Sequence, residues 1–114
     1  MTKFMYLFRS NPEASRALSP EEMQRSLQKW IDWKASLEKN GHIVSFGERL
    51  AISGKVVRGK SKTVTDGPFV EAKDLIQGYL VVQAEDIDEA TRLATGCPAL
   101  DFDGSVEVRP FFGA

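Results

Sequence analysis

The sequence predicts an α+β fold of the ferredoxin-like, split βαβ kind, with an extra β-hairpin. Three observations lead there. The chain alternates strand, helix, strand, hairpin, strand, helix, strand, which places two helical crossovers around one antiparallel sheet. Both helical stretches open on capping signals and carry apolar residues at helical spacing. The runs Phe4–Phe8 and Tyr79–Val82 are apolar at consecutive positions, as in strands covered on both faces.

Each element has its own grounds. Phe4 to Phe8 is short and aromatic-rich, and Ser10-Asn11-Pro12 ends it before a polar loop. Its apolar run stops at Arg9 with no small-residue cleavage site after it, so it reads as a buried strand and not as the core of a signal peptide. Ser19-Pro20-Glu21-Glu22 starts a helix: Ser19 caps, Pro20 suits the first helical position, and Glu22 completes a capping box. Met23, Leu27, Trp30, Ile31 and Leu37 then fall largely on one face, and Asn40-Gly41 stops the helix, which spans about Pro20 to Lys39.

His42 to Ala51 reads as the second strand. Lys55–Arg58 and Ser61–Thr65 read as the arms of a hairpin turning at Gly59-Lys60. Lys55, Arg58, Lys60 and Lys62 make this arm basic; charge of this kind marks a solvated hairpin and discourages edge pairing, with an anion-binding role the alternative. Leu75 to Ala84 is the next strand. Asp86 and Glu89 open a second helix whose apolar stripe is Ala90, Leu93, Ala94 and Cys97. Gly96 and Pro98 close it, a loop with Asp101, Asp103 and Gly104 follows, and Val106 to Phe112 is the last strand.

At 114 residues the whole chain, 1–114, is expected to be one domain with a real core. Fifteen basic residues against sixteen acidic argue against a nucleic-acid binder that works by phosphate neutralisation. A single cysteine leaves no internal disulfide and fits a cytoplasmic location, and no stretch is long enough to span a bilayer. Two helices cover only one face of a sheet whose central strands are apolar on both. The other face needs a partner, and a homodimer through that open face is the expectation.

The densest concentration of charge and backbone constraint is Thr65 to Lys73, between the hairpin and the strand at Leu75. Asp66 can accept N–H bonds from the turn that follows it, or act as a general base or ligand acceptor. Gly67, Pro68 and Phe69 are explained by backbone geometry and packing. Glu71 and Lys73 share a face if extended. Beside Asp66 in a cleft, Lys73 would hold an anionic group and Glu71 would move a proton; on the surface they are an ion pair contributing about 0–1 kcal/mol. His42, the only histidine, is the side-chain type suited to proton transfer near neutral pH and is a candidate base, although a histidine after a helix-ending glycine is commonplace. Tyr6, Trp33 and Tyr79 are candidate walls of a ligand cleft and Arg109 a candidate anion clamp, with core packing the alternative for the aromatics. Cys97 reads as core. No metal-spaced cluster, phosphate loop or nucleophile elbow occurs, so neither metal nor cofactor is expected.

Asp66-Gly67-Pro68-Phe69, with Glu71, Lys73 and Gly78-Tyr79, resembles the signature of the DGPF branch of the YCII-related proteins. The resemblance extends through Leu18-Ser19-Pro20-Glu21-Glu22, Asp86-Ile87-Asp88-Glu89-Ala90 and Val106-Glu107-Val108-Arg109-Pro110, nearly the whole chain. It implies a dimeric α+β barrel, two ferredoxin-like sheets packed open face to open face. By the same resemblance, shorter relatives hold a His–Asp pair, the histidine on the first helix and the aspartate shortly before a proline after the second. Here the first helix has no histidine and Cys97 precedes Pro98, so the pair is absent.

Three readings follow. One is a homodimer with a small-molecule cleft and cofactor-free acid–base chemistry by Asp66, Glu71 and His42. In the second the cleft binds without turnover, as a regulatory module associated with transcriptional regulators. In the third the dimer is purely structural or binds a partner by its surface.

Overall fold

A computed structural model of the chain describes residues 1–67 and 74–113. Its elements are β1 (Thr2–Arg9), α1 (Pro12–Arg16), α2 (Pro20–Lys39), β2 (Ile43–Ser45), β3 (Gly54–Arg58), β4 (Thr63–Gly67), β5 (Ile76–Ala84), α3 (Ile87–Ala94), a 3-10 turn (Pro98–Phe102) and β6 (Ser105–Pro110). Four strands form an antiparallel sheet in the order β2-β5-β1-β6, which is the ferredoxin-like order, and β3 and β4 pair as a separate two-stranded sheet.

Local chemistry explains the elements. In α2, the Ser19 hydroxyl accepts from the Glu22 N–H at 3.1 Å, and the Glu22 carboxylate accepts from the Ser19 N–H at 3.3 Å. The helix therefore begins where its capping box says, and hydrogen bonding from the Ser19 side chain, then from its backbone N–H, holds the Glu22 carboxyl below its usual range. At the other end Gly41 takes φ +77°, and the N–H groups of Gly41 and His42 close back on the carbonyls of Glu38 and Leu37. In α3, the Asp86 carboxylate accepts from the Glu89 N–H, while the Glu89 side chain reaches the N–H of Glu85, one residue earlier than a standard box requires.

Strand alternation sorts the side chains. Phe4, Tyr6 and Phe8 of β1 and Leu80, Val82 and Ala84 of β5 point to one face, where they form the core with Leu37 of α2, Ala90 and Ala94 of α3, and Cys97 and Ala99. Each fully buried Val or Leu there contributes about 1.5–3 kcal/mol relative to exposure. Both longer helices thus lie on the same face of the sheet. Met5 and Leu7 of β1 and Tyr79 and Val81 of β5 point to the other, where they are only half buried.

Four expectations need correction. The second strand is Ile43–Ser45 and not His42–Ala51: its pairing with β5 slips between Ile43 and Ser45, and Gly47 turns the chain at φ +62° before a single bridge, Arg49 to Gly78, rejoins β5. The last strand ends at Pro110. The polar loop after β1 contains a helical turn, started by Asn11, whose side chain accepts from the Glu13 N–H. On α2 the core takes Trp30, Trp33 and Leu37, and leaves Met23, Leu27 and Ile31 exposed. The apolar sector of that helix is wider than the surface that covers it.

Candidate functional site

The residues proposed from sequence fall into several separate places. Asp66 stands on β4, directly opposite Lys55 of β3; the two form an ion pair at 2.6 Å, and the Asp66 side chain is 89% exposed. Glu71 and Lys73 lie outside the described residues, as do Pro68 and Phe69. His42 sits at the start of β2, half buried, with Nδ1 2.8 Å from the Gln83 carbonyl oxygen. A carbonyl only accepts, so Nδ1 carries the proton, and a neutral ring presents Nε2 as its acceptor.

Tyr79 and Arg109 share the open face of the sheet. There Met5 and Leu7 lie beside two arginines, Arg9 at the end of β1 and Arg109 on β6, that share one carboxylate: Arg9 reaches Glu107 at 2.6 Å and Arg109 reaches it at 3.0 Å. The hydrogen bonds from Arg109 and then Arg9 hold the Glu107 carboxyl below its usual range. Tyr6 lies on the opposite face with no exposed surface, and its hydroxyl donates to the Ala90 carbonyl. In the single chain it is a core residue and not an accessible wall. Burial, with the neighbouring Cys97 and Glu89 adding smaller effects, pushes its phenol up to about 12. No hydrogen bond or ion pair joins any two of the six described candidates, Asp66, His42, Tyr79, Arg109, Tyr6 and Trp33.

Trp33 does face an opening. Its indole stacks on Tyr6 at 6.0 Å and donates to the Leu93 carbonyl at 3.1 Å. Those two contacts fix its plane as one wall of a groove of about 390 Å³ between α2 and the 3-10 turn. Lys29 and Asp32 come from α2. Thr95, Gly96 and Cys97 follow the end of α3, and Pro98, Leu100 and Asp101 come from the turn. Lys29 and Asp101 close across one side at 3.1 Å, and Asp32 accepts from the Gln28 amide at 2.9 Å. Cys97 stands just beyond the end of α3, 2% exposed, and burial pushes its thiol up to about 12. It is therefore no nucleophile near neutral pH.

Of the groove residues, sequence reasoning proposed only Trp33 as a site. The resemblance puts the relatives' histidine on the first helix and their aspartate close before the proline after the second, a pair this sequence lacks. In this chain the corresponding elements bring Asp32, Trp33 and Cys97 to one groove. Among the described residues no group of three or more His, Cys, Asp or Glu side chains is placed to hold a metal ion, and no helix is long and apolar enough to cross a membrane.

A search of curated proteins finds no match. The model of the YCII-related domain, by contrast, matches residues 2–112, all but the ends of the sequence. With the strand order and the two helices on one face, that match places the chain in the YCII-related domain family.

Proposed function

We propose that the chain acts as a homodimer of the DGPF-branch type, two sheets packed open face to open face as an α+β barrel, and that each subunit binds a small molecule in the groove between α2 and the 3-10 turn. The groove carries the binding reading: about 390 Å³, an indole wall and converging charged groups are the makings of a small-molecule site. Asp101 is engaged by Lys29, which leaves the second oxygen of Asp32, whose Oδ1 already accepts from Gln28, as the acceptor best placed for a ligand amine or hydroxyl. The half-buried Met5, Leu7, Tyr79 and Val81 on the open face support the dimer.

Binding without turnover is the favoured form, because the thiol at the groove is buried and Asp66 and His42 stand away from it. Cofactor-free acid–base chemistry by Asp66, Glu71 and His42 is the second reading. Its support is the placement of His42, whose Nδ1 lies against the Gln83 carbonyl and leaves Nε2 as the nitrogen available for exchange.

A thermal-shift screen of a metabolite library separates the two. A hit abolished by Asp32→Ala and retained when Asp66, Glu71 and Lys73 are all replaced by alanine supports the groove. The reverse pattern moves the site to the motif. Sedimentation at micromolar concentration tests the dimer, and a stable monomer would refute it.

A further inference from the structure

We infer that the β3–β4 hairpin is a basic arm that clasps the body of a second copy of this chain. The inference rests on the homodimer reading and adds to it a second contact, distinct from the open sheet face.

The hairpin has no sheet to belong to. Among the described residues its strands pair only with each other, and an isolated two-stranded hairpin is marginal in water. Val57 and Val64 stand directly opposite one another on it, 65% and 58% exposed. By alternation, that apolar pair shares a face with the Lys55–Asp66 ion pair. A cross-strand valine pair beside an ion pair is a contact surface lacking its counterpart. The radius of gyration, 15.7 Å, exceeds the roughly 13 Å of a compact domain of this length, and the extents are 46 × 44 × 19 Å, as a projecting arm requires.

Charge selects the counterpart. Residues 54–67 hold four of the fifteen basic residues (Lys55, Arg58, Lys60, Lys62) and one of the sixteen acids (Asp66), a net of +3. The rest of the chain is left at −4. The body of this same protein therefore carries the field that attracts the arm, and a two-fold dimer offers both arms the same acidic receptor. Asp66, solvated in one chain, is then delivered to the surface of the other.

Sedimentation equilibrium in 50 and 500 mM NaCl provides the first test, on the wild type, Arg58→Glu/Lys60→Glu and Val57→Ser/Val64→Ser, each checked for native circular dichroism. The wild-type dimer should weaken at least tenfold across that salt range. Either variant should weaken it at least tenfold at low salt, and the charge reversal should flatten the salt dependence. Carbodiimide cross-linking of a mixture of ¹⁴N and ¹⁵N protein should join Lys60 or Lys62 of one copy to body carboxylates of the other. A dimeric wild type with unchanged variants, or links confined to single chains, overturns the arm and leaves the dimer standing. A monomeric wild type overturns both. Binding of a labelled DNA duplex that the charge reversal abolishes, with dimerisation unaltered, assigns the arm to nucleic acid and refutes the inference.

Discussion

Replacing Gly47 by alanine tests how the chain between β2 and β3 is held. Gly47 has φ +62°, and a Cβ built on it would lie 1.9 Å from the Tyr79 carbonyl oxygen and 2.7 Å from the carbonyl carbon. The left-handed conformation alone disfavours a non-glycine residue by about 1–2 kcal/mol. The clash is with backbone, so no rotamer relieves it. The loop must lift from β5, which strains two hydrogen bonds, Tyr79 N–H to the Glu48 carbonyl at 3.3 Å and Leu50 N–H to the Gln77 carbonyl at 2.8 Å. Their loss adds about 1–3 kcal/mol, while the less flexible unfolded chain returns about 0.4–1 kcal/mol. The net expectation is a destabilisation of about 2–4 kcal/mol. Gly41 is the control, since φ is +77° there with nothing within 4 Å, so Gly41→Ala should cost about 1 kcal/mol or less. Urea unfolding followed by far-ultraviolet circular dichroism measures both. Equal effects of the two substitutions would falsify the argument, because only the close approach to Tyr79 distinguishes them.

Other perturbations have equally definite outcomes. Ser19→Ala removes one half of the α2 capping box and should destabilise by about 1 kcal/mol. Its effect should be largest above pH 4.5 and fade as pH falls through the lowered pKa of Glu22, a trend that urea titrations across pH 3–6 would reveal. Tyr6→Phe leaves the phenol's buried acceptor without its donor and should cost about 1–2 kcal/mol. At alkaline pH the sign follows from two acids kept neutral by the fold. Cys97 rises from 9.0 and Tyr6 from 10.0, each to about 12. Their contribution to stability is complete below pH 9 and is lost as pH climbs towards 12, and the loss should be shallower in Tyr6→Phe. A thiol-specific disulfide reagent at pH 8 should label Cys97 slowly in the native protein and at once in urea; equally fast labelling would mean the thiol is not buried.

Much of the fold was legible because its signals are local. Ser19, Glu22 and Gly41 delimit α2, and the unbroken apolar runs locate β1 and β5. What was illegible depended on partners distant in sequence. The apolar residues Met23, Leu27 and Ile31 have the same spacing as core positions, and only the extent of the sheet beneath α2 decides that Trp30, Trp33 and Leu37 are covered instead. The early end of β2 comes from a slipped register against β5, which no feature of residues 42–51 announces except Gly47. The groove was hidden for a similar reason. Lys29 and Asp32 look like any solvated helix face until Asp101, 72 residues beyond Lys29, is folded against them. The conspicuous motif Thr65–Lys73 identified the family more readily than a site.

Both tryptophans of the chain lie in α2, with ring centroids 5.8 Å apart. One of them is the wall of the groove, hydrogen-bonded to α3, and the other packs edge-on to Phe8 at 5.1 Å. The protein's ultraviolet emission therefore originates almost wholly from one side of the sheet. Ligand entry at Trp33, or loosening of α2 from α3, should alter it, while events at the open sheet face or along the hairpin should pass unseen. An optical titration would then report groove occupancy without interference from self-association, and the two events can be followed separately in one cuvette.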